Sequence, residues 1–467
     1  MACRVLLVNP AYERPVSRGA GGIPILTRIW PPLEMANAAA LLRNDLGDIE
    51  VKIVDANALN LGPEEVAKRA ANSNIIVVST SAIDRWQCPY LDISSAMSYA
   101  TYLKKRFHDS RMVIIGPHGT ERPDWLLNSF PEIDAIVRGE PELTLRELVE
   151  KTIAGDGVEG VLGVSYVQNG KIVNNPPRPF SSELDAFTVP AFDLLPMKEY
   201  EYALLGKPFS LVETSRGCPY PCAFCLKTMY GSNYRVKKLE NVMKELQHLF
   251  YELDIPNIYF FDLEFTLIAD RVKKLCKMIM EDGMDLRWTC QTRVDRVDRD
   301  LLRLMRKAGC ELIHYGAESG NERTLEMMRK GITLQQIRDA LKNSREEGIL
   351  TTVFVLLGYP GETLEDMQLS IKLTKEVNPD FVSFHVATPY VGTEFYEAVK
   401  NELGGKVFPT AYESKDWTVK DIEMMRRKAF REFYFRIGYC KTALSLSRRL
   451  GVRGLTIGAR MLISLAR

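Results

Sequence analysis

Leu211-Val212-Glu213-Thr214-Ser215-Arg216-Gly217-Cys218-Pro219-Tyr220-Pro221-Cys222-Ala223-Phe224-Cys225 passes from a short apolar run directly into three closely spaced cysteines. Such a run, ended by polar residues and glycine, reads as a buried strand over 211–214, and a loop at a strand's carboxyl end is where α/β barrels build their sites. Working outward, five further strand candidates follow at 258–261, 286–290, 312–315, 352–356 and 381–384. Segments with a spacing near 3.6 separate or follow them at 238–253, 271–281, 299–308, 321–328, 334–347 and 364–376. Six βα units predict an open partial (β/α)6 barrel, since a closed one needs eight.

Upstream, apolar runs at 4–8, 50–54, 75–80, 112–115 and 135–137 alternate with helical patterns at 33–43, 63–71, 96–107 and 143–152. Continuous apolar runs of this kind suit parallel strands covered on both faces. The alternation predicts a doubly wound, Rossmann-like α/β domain with its ligand crevice at the carboxyl ends of the strands. Between the two series the chain is rich in Gly, Pro and Asn, with one strand-like run at 164–167. The expected organisation is an α/β domain over 1–154, a linker with a small hairpin over 155–205, a partial barrel over 206–400 and a basic helical region over 401–467.

The chain has 467 residues, more than one hydrophobic core usually serves. Apolar residues at 46% and charged residues at 26% exclude long disorder, and a net charge of +1 gives a general polyanion binder no support. From Met424 onward, however, eleven Lys or Arg face a single acid, Glu432. These helices can pack their apolar face on the barrel while their cations offset the acidic remainder, or they can touch an anionic membrane surface through 424–467. No recognition motif accompanies the basic stretch, so no nucleic acid is expected. The start lacks a signal-peptide pattern, no uncharged apolar stretch reaches about 18 residues, and nine cysteines form no even framework. A cytoplasmic protein is expected. Cys3, Cys88, Cys276, Cys290, Cys310 and Cys440 read as ordinary small buried residues.

The other three cysteines carry chemistry. Thiolates are the ligands of iron–sulfur clusters, and three of them on four irons leave one iron open. A structural zinc site wants four closed ligands, and no further Cys or His lies close in sequence. The CxxxCxxC spacing with aromatic Phe224 before the last cysteine resembles the signature of the radical S-adenosylmethionine superfamily. The resemblance implies a 4Fe–4S cluster on Cys218, Cys222 and Cys225, an electron donor such as ferredoxin or flavodoxin, and a 5′-deoxyadenosyl radical. It also implies contacts from later strand ends to S-adenosylmethionine. Asp262 or Glu264 would receive the methionine amino group, although Phe261-Asp262-Leu263-Glu264-Phe265 departs from the Gly-Gly-Glu form. Arg293 would meet the carboxylate, Glu318 and Ser319 the ribose, and Gly358 and Gly361 the adenine side.

The first domain resembles the cobalamin-binding domain of one large subfamily, through Val8-Asn9-Pro10, Val54-Asp55-Ala56-Asn57, Thr80-Ser81-Ala82, Gly116-Pro117-His118-Gly119 and Arg138-Gly139-Glu140. The resemblance implies cobalamin contacts from Asn9, Pro10, Asp55, Asn57, Ser81, Gly116, Gly119, Gly139 and Glu140. Residues 55–60 contain no histidine for cobalt, and His118 reads as a hydrogen-bonded loop residue. A domain that packs only, or binds another ligand, is the alternative. Two cofactor modules imply radical C-methylation of a small-molecule or lipid substrate. The same architecture implies, as alternatives, ring closure like that of anaerobic tetrapyrrole cyclases or another radical insertion. A corrinoid or iron–sulfur sensor without catalysis is the reading from another class.

Overall fold

Two parallel sheets carry the chain in the computed structural model, which describes residues 3–12, 28–70, 72–187 and 189–451. In the first, β1 (Cys3–Asn9), β2 (Ile49–Asp55), β3 (Ile75–Ser79), β4 (Arg111–Ile115) and β5 (Ala135–Val137) run parallel in the order β2-β1-β3-β4-β5. Val8 stands opposite both Val54 and Val78. Strand order reverses between β1 and β3, the point at which sheets of this type open a ligand crevice. Helices α1 (Leu33–Asp45), α2 (Pro63–Arg69), α3 (Ser94–Arg106) and α4 (Pro141–Ile153) follow β1, β2, β3 and β5. Ile75, Ile76, Val77 and Val78 have no exposed surface, as burial on both faces requires.

The hairpin expected in the linker is β6 (Val164–Gln168) with β7 (Lys171–Asn174), and it extends the first sheet antiparallel from β5. Several described side chains of that loose stretch after residue 183 are packed. Leu184, Phe187, Phe192, Leu195, Met197 and Tyr200 are buried, and Tyr200 donates from its hydroxyl to Asp55 at 2.8 Å. Short 3-10 turns and prolines carry these side chains, which is why no helical or strand period announces them.

The second sheet takes its six strands in sequence order: β8 (Phe209–Val212), β9 (Asn257–Phe260), β10 (Arg287–Thr292), β11 (Cys310–Glu318), β12 (Leu350–Leu357) and β13 (Phe381–Val386), all parallel. This is the partial (β/α)6 barrel. Helices α5 (Leu239–Gln247), α6 (Ala269–Asp282), α7 (Arg299–Lys307), α8 (Leu334–Glu346) and α9 (Leu364–Val377) connect the strands. Tyr315 bonds Ser344 of α8 at 2.9 Å, so the neighbouring His314 points to the concave face. There its ring stacks between Tyr259 and Phe354, at 5.4 and 5.7 Å between centroids.

The described part of the basic region packs on the barrel. In α10 (Val419–Tyr434), Phe430 meets Phe384 edge-on, Phe433 is fully buried, and the Tyr434 hydroxyl accepts from Val382 N and donates to its carbonyl. On α11 (Ile437–Leu450), Ile437 and Leu444 remain exposed. Cys440 is exposed as well, contrary to expectation, because it faces outward from that helix; Cys3 and Cys88 are only partly buried. Arg453, Arg460 and Arg467, part of the basic run, lie outside the described residues. Among the described residues no helix is long and apolar enough to cross a membrane.

Candidate active site

The cysteine loop is pinned at its base. Ser215–Arg216 pairs antiparallel with Arg235–Val236, and Asp262 at the end of β9 accepts hydrogen bonds from Thr214 N (2.7 Å), Thr214 Oγ1 (2.6 Å) and Ser215 Oγ (2.6 Å). Gly217 has φ +86, and a Cβ there would lie 2.0 Å from the Asn233 carbonyl oxygen, so only glycine fits. The loop is then held by Cys218 N to Gly231 O (3.3 Å), Ala223 N to Met328 O (3.0 Å) and Lys227 Nζ to Tyr220 O (2.7 Å).

Cys218, Cys222 and Cys225 are unpaired thiols and partly exposed. Burial pushes the Cys225 thiol up to about 12, and the charges of Cys222 and Cys218 add to the effect. The three sulfurs therefore lie within one another's field, and any group bound there must supply compensating positive charge. Among the described residues no group of three or more His, Cys, Asp or Glu converges as a single metal ion would need. A cubane cluster takes three thiolates on three separate irons. The donor set fits that cluster, with one iron left open.

Around the loop, the structure brings Glu264, Arg293, Glu318 and one residue that sequence reasoning missed. Lys330 is buried, donates to Glu318 Oε1 at 2.8 Å and lies 5.9 Å from the centre of the Phe224 ring. Burial opposes the charges of Lys330 and Arg293, but Glu318 beside the first and Asp295 beside the second outweigh it and favour the charged forms, with the Cys222 sulfur adding to both. Lys330 sits in Arg329-Lys330-Gly331, a turn that reads as solvated, and no spacing links it to the cysteines. Gly316 makes room for the pair, since a Cβ there would be 2.3 Å from Glu318 Oε1 and 2.7 Å from Lys330 Nζ.

Arg293 is held by Asp295 (2.8 and 3.2 Å), by the carbonyls of Lys330 and Gly331, and by the Tyr220 ring 3.8 Å away. Glu264 accepts from Arg293 N at 2.9 Å and from the hydroxyls of Thr292 and Thr266. Burial raises its carboxyl to about 7 against the pull of these donors. Of the two acids, Asp262 is committed to the base of the cysteine loop, and Glu264 lies nearer the two cations. Ser319 exchanges a hydroxyl contact with Ser370 at 3.2 Å. At the end of β12, Gly358 and Gly361 take positive φ around Glu362, whose carboxylate accepts from Gly358 N (2.8 Å) and Tyr359 N (3.2 Å). Gly358 closes on Ile422 and Gly361 on Met327. Glu362 was also missed; burial raises it to about 8.

In the first domain, Asn9 and Asp55 turn to each other at 2.9 Å, and Asp55 also accepts from Ala58 N, capping the short helix Ala56–Leu59. Burial raises the Asp55 carboxyl to about 6. Pro10 is buried and Asn57 keeps partial exposure, while buried Ser81 accepts from Tyr90 N at 3.4 Å. Gly116 has φ +108 and closes on Thr80; Gly119 is small because Ile136 of the core would meet its Cβ at 2.7 Å. Gly139 N donates to Thr120 Oγ1 at 3.0 Å, and Glu140 is bound by Arg235. His118 Nε2 meets the Tyr90 carbonyl, and burial pushes its imidazole down to about 4. Asn9 Oδ1, Glu34 Oε1 and His118 Nδ1 are buried with no partner among the described residues. A strand-end crevice with buried polar atoms to spare fits a polar, nucleotide-tailed ligand, held without a histidine from residues 55–60.

A three-thiol loop at the mouth of a six-stranded partial barrel, set against a doubly wound crevice, defines a radical enzyme with two cofactor modules. The Radical SAM superfamily profile matches residues 212–374 and the B12 binding domain profile residues 26–149. The chain is 35% identical over 447 residues to an uncharacterized methyltransferase of Pyrococcus horikoshii, with 93% of each chain covered. It is 29% identical to the anaerobic magnesium-protoporphyrin IX monomethyl ester cyclase of Rubrivivax gelatinosus, over 86% of this chain and 70% of that one. It shares its fold with the cobalamin-dependent S-adenosylmethionine radical enzyme OxsB, at TM-score 0.76 and 17% identity, over 100% of this chain and 72% of that one. The chain belongs to the radical S-adenosylmethionine enzymes that carry a B12 binding domain.

Proposed function

We propose that the chain methylates an unactivated carbon of a small-molecule substrate. The observation that carries this is the contact between the two mouths: the Tyr230 hydroxyl, on the hairpin that closes the cysteine loop, donates to the carbonyl of Ile83, in the loop after β3, at 3.1 Å. Two cofactors held by these loops would face each other.

In this reading Cys218, Cys222 and Cys225 hold the cluster, Glu264 receives the methionine amino group, and Arg293 with Lys330 sets the positive field for its carboxylate. Glu318 and Ser319 face the ribose, and Gly358 and Gly361 shape the adenine side. Asn9, Pro10, Asn57, Ser81, Gly116 and Gly139 rim the corrin crevice, with Asp55, Gly119 and Glu140 behind them as its supports. When bound, the cluster supplies the electron that cleaves S-adenosylmethionine, and cobalamin carries the methyl group. The chain's own residues bind, orient and shield; an external one-electron donor of the ferredoxin or flavodoxin class is required. We place the α/β module over 1–154, the joining segment over 155–205, the barrel over 206–400 and the basic region after it.

One molecule of S-adenosylmethionine gives up its methyl group as S-adenosylhomocysteine. A second, reduced by one electron, gives methionine and the radical that takes the substrate hydrogen as 5′-deoxyadenosine. The reduced, reconstituted protein with cobalamin should form both nucleosides, and 5′-deoxyadenosine alone would eliminate methyl transfer. That outcome would favour oxidative ring closure, the second reading, which the similarity to the Rubrivivax cyclase supports. Cys222→Ala should lose the cluster absorbance and 5′-deoxyadenosine together; retention of either would remove the cluster assignment.

A further inference from the structure

The base of the cysteine loop is joined to the first domain by a buried ion cluster in which Glu140, a support of the corrin crevice, is the one member with a cofactor role proposed above. Arg216, 1% exposed, stands two residues before Cys218. Its Nη2 lies 2.6 Å from Glu142 and 2.8 Å from Glu213, its Nε 3.2 Å from Glu213, and its Nη1 3.5 Å from Glu140. Arg235, paired across the base of the loop, takes Glu140 in two hydrogen bonds of 2.7 and 3.0 Å and also reaches the carbonyls of Tyr230 and Ser181. The rings of Phe187 and Phe180 cover the two guanidiniums at 5.0 and 5.1 Å.

Glu140 holds the N-cap position and Glu142 the first turn of α4, shortly after β5 of the first sheet. The cluster therefore ties a strand-end loop of one sheet to the origin of the cysteine loop on the other. Three carboxylates share two guanidiniums, and Arg216 Nη1 and Glu142 Oε2 are left without a hydrogen bond among the described residues. An apolar contact of the same volume is often as stable as a buried ion pair, so stability alone does not account for this arrangement. What a guanidinium adds is direction. Its planar fork donates to carboxylates only along fixed lines, so a shift of one sheet against the other misaligns several bonds at once.

We propose that Arg216 is a positioning residue that sets the register between the cluster-bearing loop and the cobalamin crevice, and so governs methyl transfer more than radical formation. The inference rests on the methylation reading above. Reductive cleavage of S-adenosylmethionine takes place within the barrel module, whereas formation of S-adenosylhomocysteine requires the two modules to be in register.

Arg216→Lys, which retains the charge without the fork, and Glu142→Gln, which retains the shape without the charge, test it. Both should bind iron as the unaltered chain does and form 5′-deoxyadenosine within about threefold, while S-adenosylhomocysteine falls about 10- to 100-fold, as misplacement on the order of 1 Å produces. In the apo chain, hydrogen exchange at 139–142 and 215–218 should quicken about tenfold, with the inner barrel strands unchanged. A parallel fall in both nucleosides, or a fall in neither, would overturn the positioning role. If Arg216→Lys fails to fold, the isosteric Glu142→Gln decides alone. If the unaltered chain forms no S-adenosylhomocysteine, the methylation reading fails, and the exchange experiment decides separately: local quickening keeps the register role, and uniform quickening ends it.

Discussion

Gly217→Ala should empty the cluster site while leaving the fold in place. Two costs are written into the position. The residue sits at φ +86, where an L side chain loses roughly 1–2 kcal/mol. Its new Cβ would stand 2.0 Å from the Asn233 carbonyl oxygen. A close carbon–oxygen contact needs about 3.3 Å, so backbone must move by about 1.3 Å. Asn233 lies two residues before Arg235–Val236, the strand that pins the loop, so the displacement passes into Cys218. Anaerobic reconstitution should then give well under half of about four irons per chain, with 5′-deoxyadenosine formation down about 100-fold. Gly283→Ala is the control. Gly283 has φ +82 with nothing within 4 Å of a Cβ, so it should lose about 1–2 kcal/mol of stability and no iron. Full iron in Gly217→Ala, or an equal iron loss in Gly283→Ala, would refute the reasoning.

Lys330→Met strands the Glu318 carboxylate in the interior, and breaking a buried pair costs roughly 3–5 kcal/mol. Chemical denaturation should show that loss, and adding Glu318→Gln should restore at least about half of it; equal stability of the single and double variants would dissolve the pair. His314 makes the stability of the chain sensitive to acid. Burial, aided by the charge of Arg28, pushes its imidazole down to about 3, so below its ordinary value near 6.5 the unfolded chain takes up the proton first. Its contribution to stability is intact above about pH 6.5 and is lost progressively toward pH 3, amounting to about 2 kcal/mol by pH 5. Denaturation at pH 7.5 and pH 5 should therefore differ by about 2 kcal/mol less in His314→Gln; an unchanged difference would place the titration elsewhere.

Taken together, these substitutions separate three kinds of support around the thiols. Gly217 and Asp262 fix where the cysteine loop starts. Lys330, Arg293 and Glu264 set the charge beside it. Arg216 and Arg235 join it to the neighbouring sheet. Each group can be altered without touching a cysteine, so loss of cluster, loss of cofactor field and loss of register are distinguishable in one set of nucleoside and iron measurements.

The six βα units, the doubly wound first domain and the three-cysteine loop were legible in the sequence. Strand and helix periods and turn residues are local, and a cysteine spacing of three and two intervening residues survives any packing. The sequence also indicated which strand ends would gather at one mouth. It could not tell how the side chains there would be used. Asp262 and Glu264 are two residues apart and alike in chemistry, yet backbone geometry turns the first to Thr214 and Ser215 and the second to Thr292 and Arg293. Gly119 looked like a ligand approach, and its neighbour is Ile136 of the core. Lys330 lay in an ordinary polar turn, Glu362 in a turn read for its glycines, and the buried Leu184, Phe187, Phe192, Leu195, Met197 and Tyr200 in what looked like a loose connection. Arg216 meets Glu142 across 74 positions of chain. Partners of this kind are chosen by how two sheets dock, and only the tertiary structure holds that information, because hydrogen bonds and ion pairs depend on the direction of a side chain as well as on its kind.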